Sequence, residues 1–114
     1  MSTNLHIKGT RTIRVLKTGK IEEQHIFANV YQTPTDITYQ ILNSKNKLEE
    51  YEKWVMSVSE DYEENIYANY HDEMLERNPI GTETINYGKE HINALKKWIH
   101  EAEENGYEIE YYAM

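Results

Sequence analysis

Ile37-Thr38-Tyr39-Gln40-Ile41-Leu42-Asn43-Ser44-Lys45-Asn46-Lys47-Leu48-Glu49-Glu50-Tyr51-Glu52-Lys53-Trp54-Val55 is the stretch that decides the fold class, because the apolar period changes inside it. In its first part Ile37, Tyr39 and Ile41 alternate with Thr38, Gln40 and Leu42, the two-residue period of a strand. Past Asn46, Leu48, Tyr51, Trp54, Val55, Val58 and Tyr62 recur at helical spacing. Asn46 with Glu49 three residues on matches a capping box and predicts a helix start there.

The strand pattern extends N-terminally. Leu5 and Ile7 alternate with His6 and Lys8, and Gly9-Thr10 predicts a bend. Thr12, Ile13, Val15 and Leu16 make a second run, and Lys17-Thr18-Gly19-Lys20 supplies a tight hairpin turn. A long strand is expected from Ile21 to Tyr31, closed by a turn at Thr33-Pro34-Thr35-Asp36. The helical pattern extends C-terminally. Its stripe continues through Ile66, Tyr70 and Met74, as one helix over 47–77 or as two if Ser57 and Glu60 cap a second start. Asn78-Pro79-Ile80-Gly81 ends it. A last helix is expected over 89–105 on Ile92, Leu95, Ile99 and Ala102. Gly106 fits the left-handed position after a helix end, and Tyr107, Ile109 and Tyr111 read as a short final strand. The expected fold is a single α+β domain over 1–114: an N-terminal antiparallel β-meander of three to four strands packed against two or three helices, with a short C-terminal strand. Trp54, Ile92, Leu95 and Ile99 are the expected core.

The chain has no cysteine, which excludes disulfides, thiolate catalysis and zinc-thiolate or iron–sulfur sites. No apolar run approaches the ~20 residues of a bilayer span, and the N-terminus is polar rather than signal-like. A cytoplasmic, non-membrane protein is expected. No Gly-rich phosphate loop, nucleophile elbow, His-Glu-x-x-His or calcium loop is present, so no catalytic residue and no cofactor is assigned. Asp61 and Glu64 with His71, Asp72 and Glu73 come nearest to a metal set. Their helical phases spread the last two away from the first, which reads as a solvated face, and no metal ligand is assigned.

Net charge is −8, from 20 acidic and 12 basic residues. Residues 1–20 hold Lys8, Arg11, Arg14, Lys17 and Lys20 with no acid, a local +5, and the rest carries −13. Between Glu60 and Glu76 lie seven carboxylates and no lysine or arginine. Glu60, Asp61, Glu63, Glu64, Asp72 and Glu73, interleaved with Tyr62, Tyr67 and Tyr70, form the candidate partner-binding face. Unrelieved like charge opposes folding, and tyrosine combines contact area with a polar tip. Ten tyrosines against one phenylalanine strengthen that pattern. The same residues also fit a solubility role. In size, acidity, tyrosine content and lack of cysteine the chain is similar to small inhibitor proteins of phages and toxin systems, some of which imitate DNA charge. The resemblance lies in composition over the whole chain and assigns no residue a role.

The leading expectation is a non-enzymatic acidic inhibitor that occupies a basic surface of a macromolecule, such as a nucleic-acid-binding protein or a nuclease. The alternative is a binder of a small anionic ligand through Arg11, Arg14 and Lys17. A third reading is single-stranded nucleic acid on the basic hairpin, with Tyr31 and Tyr39 stacking bases; the acidic remainder opposes it. The sequence leaves open whether the second strand is an exposed edge used for a homodimer.

Overall fold

The computed structural model describes residues 3–69 and 80–114, with side chains through 59 and again from 87. Among these residues three strands and three helices follow in the order β1 (Leu5–Arg14), β2 (Ile21–Phe27), α1 (Thr35–Leu42), α2 (Lys47–Asn69), α3 (Ile80–Glu104) and β3 (Glu108–Ala113). This is an α+β fold with one antiparallel sheet of order β2-β1-β3.

The first two strands form the expected hairpin. Gly19 takes φ 70° in its turn, and Val15 N–H reaches the Lys20 carbonyl at 2.8 Å. Gly9 makes no bend: β1 runs straight through it. A Cβ on Gly9 would stand 3.0 Å from Ile26 Cγ1 and 3.1 Å from Tyr107 Cβ, so the glycine permits close approach. β2 ends at Phe27 rather than Tyr31, because the chain leaves the sheet once Ala28 N–H has bonded the Ile7 carbonyl.

The expected strand over 37–42 is instead α1. Proline at 34 presets the entry, and Thr38 N–H bonds the Pro34 carbonyl at 2.9 Å. Ile37 and Ile41 are spaced for a strand face and equally for one helical turn. Burial of the polar Thr38 beside Ile41 decides between them. The Thr38 hydroxyl is paired with that of Thr33, which accepts Leu5 N–H at 3.0 Å, and Thr38 also donates to the Pro34 and Thr3 carbonyls. In the helix that buried hydroxyl is paired, as a buried polar group requires. The third strand of the sheet comes from the C-terminus: β3 pairs along β1 from Leu5↔Ala113 to Thr10↔Glu108.

The helix ends follow their sequence signals. Asn46 Oδ1 accepts Glu49 N–H at 3.2 Å, and its Nδ2 donates to the Glu49 carboxylate at 2.9 Å. α2 then runs unbroken through Ser57 and Glu60, so the second start expected there does not occur, and Ser59 Oγ donates to the Val55 carbonyl within the helix. α3 begins at Ile80, earlier than the expected 89. It ends in a Schellman motif: Gly106 at φ 84°, with Tyr107 N–H on Ala102 O and Gly106 N–H on Glu103 O. Gly88 lets α3 approach α2 closely, since a Cβ there would fall 2.7 Å from Ser59 Oγ.

One face of the sheet is covered and the other open. Leu5 and Ile7 turn inward onto Ile41 of α1, Tyr51 and Val55 of α2, and Ile92, Leu95 and Ile99 of α3. Trp54 packs at the edge of this core, only partly buried. No helix among the described residues is long and apolar enough to cross a membrane.

Candidate functional site

The acidic run of the sequence follows directly on Ser59 of α2. The first half of that helix is anchored by Tyr51, Val55 and Ser59, all buried. There the carboxylates have cations: Lys53 lies 3.7 Å from both Glu49 and Glu50, and Lys96 of α3 reaches Glu52 at 3.1 Å. Glu60, Asp61, Tyr62, Glu63, Glu64 and Tyr67 continue the same helix in backbone terms, so 60, 63, 64 and 67 recur at one-turn spacing. Tyr70, Asp72 and Glu73 lie outside the described residues, as do His71 and the end expected at 78–81 up to Pro79.

The three basic candidates for an anionic ligand do not share a face. Arg11 falls on the covered side of β1 with Leu5, Ile7 and Gly9; Arg14, three residues on, falls on the open side; Lys17 lies in the hairpin turn. Arg11 is already engaged. Its Nε donates to Gln24 Oε1 at 2.8 Å, its Nη1 donates to the Asn105 carbonyl at 2.7 Å, and its guanidinium lies 4.4 Å from the Tyr107 ring centre. It therefore sits on the C-terminal end of α3, where unpaired carbonyls and the helix dipole favour a cation. That contact offsets the unfavourable Glu101, Glu103 and Glu104 in the same last turns. A cleft of about 250 Å³ beside it includes Trp98 and the carboxylate-bearing Glu101.

A polar centre that the sequence pattern did not mark joins α2, α3 and the β2–α1 loop. Tyr51 is 0% exposed, and its phenol oxygen accepts Tyr31 N–H at 2.8 Å. The same oxygen lies 2.8 Å from His91 Nε2. The phenol oxygen thus serves both the Tyr31 amide, from which it accepts, and the imidazole Nε2, with which it shares a proton. The Tyr31 ring stacks on His91 at 3.9 Å and 10°. Burial pushes the Tyr51 phenol well above its ordinary range and His91 below its own. Both are held neutral, and no carboxylate orients the imidazole among the described bonds. The pair is a hydrogen-bonded fastening between α2, α3 and the β2–α1 loop. The available signal was the spacing of His91 and Leu95, which puts the histidine next to the core stripe. Its partner forty residues earlier is invisible to any local pattern.

No group of three or more potential metal ligands occurs among the described residues. No known protein family matches the chain, and comparison with curated proteins and with solved structures likewise gives no match.

Proposed function

We propose that this chain is a non-enzymatic binding protein that acts by occupying a basic surface on a macromolecular partner, working in a reducing, cytoplasmic setting. One observation carries the reading: carboxylates near the core of α2 and along α3 are matched with Lys53, Lys96 and Lys97, whereas the seven from Glu60 to Glu76 have no lysine or arginine within their run. A run of carboxylates without lysine or arginine in the sequence steers an oppositely charged partner and raises its rate of association. Tyr62, Tyr67 and Tyr70 are the residues assigned to the contact itself. A nucleic-acid-binding protein or a nuclease is the partner class that fits this chemistry. The anionic-ligand reading is the weaker one, because Arg11 is engaged by Gln24, Asn105 and Tyr107.

The test is capture of partners from a lysate by the wild-type chain and by a variant carrying Glu60→Gln, Asp61→Asn, Glu63→Gln and Glu64→Gln. The expected result is a basic protein held by the wild type at low salt, released at high salt, and bound at least about tenfold more weakly by the folded variant. Equal capture by both would remove the acidic run from the mechanism.

A further inference from the structure

We propose that two copies of this chain join through the free edge of β2, pairing antiparallel about Gln24 to form one continuous six-stranded sheet. Among the described residues β2 is an edge strand, and its sequence Ile21-Glu22-Glu23-Gln24-His25-Ile26-Phe27 contains no lysine or proline to block pairing.

The ladder with β1 fixes which backbone groups are free. Ala28 N–H bonds the Ile7 carbonyl and Val15 N–H bonds the Lys20 carbonyl, in the same register that pairs Lys8 with Phe27 and Arg14 with Ile21. The even-numbered residues of β2 therefore spend their N–H and C=O groups on β1. Those of Ile21, Glu23, His25 and Phe27 point to the open edge. In a symmetric antiparallel pair these odd residues must bond odd residues, so the twofold axis passes through a residue and not between two.

Side chains then select the register. An axis at Glu23 sets that carboxylate against its own copy. An axis at His25 sets imidazole against imidazole and leaves Ile21 beyond the paired strand. An axis at Gln24 sets Ile21 against the second copy's Phe27, and Glu23 against its His25, twice over. It also uses every free edge group of the strand, giving about eight backbone hydrogen bonds. Ile21 and Phe27 are 73% and 65% exposed, large apolar side chains on the open face of the sheet. Glu23 and His25 are already compatible neighbours within one strand, 3.7 Å apart. The order apolar, acid, imidazole, apolar along one edge is self-complementary when reversed, which identifies a second copy of this chain as the occupant.

The edge belongs to a different element from the acidic run of α2, so dimerisation and partner capture succeed or fail separately. Sedimentation of the full chain should show a dimer; a monomer at every concentration overturns the proposal. His25→Glu places carboxylate against carboxylate twice and should weaken the dimer roughly tenfold or more. Adding Glu23→Lys to that variant sets opposite charges across each pair and should restore the dimer, provided circular dichroism shows the same fold. Failure of that rescue overturns the register. Gln24→Cys gives an independent readout in a chain without cysteine. Residues at the axis form a non-bonded pair with Cα atoms about 4.5 Å apart, within disulfide reach. Mild oxidation should link the folded Gln24→Cys chain into a covalent dimer and leave Lys17→Cys, in the turn, unlinked. An unlinked Gln24→Cys, or equal linking of both variants, counts against the proposal.

Discussion

Tyr51 has no exposed surface, yet its hydroxyl meets a backbone amide from the β2–α1 loop and an imidazole from α3. A single oxygen thus fixes three segments that lie far apart in the sequence. Tyr51→Phe keeps the ring and removes the oxygen, leaving Tyr31 N–H and His91 Nε2 without it. The expected cost is about 1–3 kcal/mol, the penalty for unsatisfied buried groups, read from denaturant midpoints with an unchanged slope. No change would show that water or a rotated His91 replaces the bond. Arg11 makes a comparable connection at the other end of α3. The sequence offers Arg11 only as an alternative contact for an anionic ligand; in the fold it donates to the Asn105 carbonyl.

At the scale of elements, the lesson lies in α1 and α3. Ile37, Tyr39 and Ile41 satisfy a strand period, but Tyr39 is exposed while Thr38 and Ile41 are buried, a spacing of three that belongs to a helix face. Local spacing alone cannot separate a short strand from a helix of eight residues. α3 begins at Ile80, ahead of the expected 89, and includes Gly81, Thr82 and Thr84, poor helix formers that hide its start. Its C-terminal half matches expectation. Ile92, Leu95 and Ile99 are buried against α2 and β1. Leu95→Ala should therefore lower stability by about 2–5 kcal/mol, since transfer and cavity costs add. A denaturation midpoint close to wild type would mean that this face of α3 is not packed.

For the whole molecule, charge and protonation set how stability responds to its surroundings. Neutralising Glu60, Asp61, Glu63 and Glu64 reduces self-repulsion, so that variant should be as stable as the wild type or more so. His91 acts in the other direction on the acid side. Burial lowers its folded-state pKa below the ordinary value near 6.5. The folded chain then binds fewer protons than the unfolded one, and the His91 contribution is fully present above about pH 6.5 and lost as pH falls below it. Unfolding measured from neutral pH down to about pH 5 should show this decline, and His91→Gln should flatten it; parallel curves would remove His91 from the acid response. The sequence by itself determined the α+β class, the hairpin turn at Gly19, the Asn46 cap, the Gly106 helix end and the core stripe of α3. Each of these rests on residues within about one turn or one hairpin of each other, where backbone sterics and period act directly. Only the tertiary structure decided that β3 takes the third place in the sheet, that 37–42 is helical, that Arg11 is spent on a helix end, and that Tyr51 meets His91. Those outcomes join residues distant in the chain, and they follow from satisfying buried polar groups and covering one face of a sheet, conditions that no local pattern encodes.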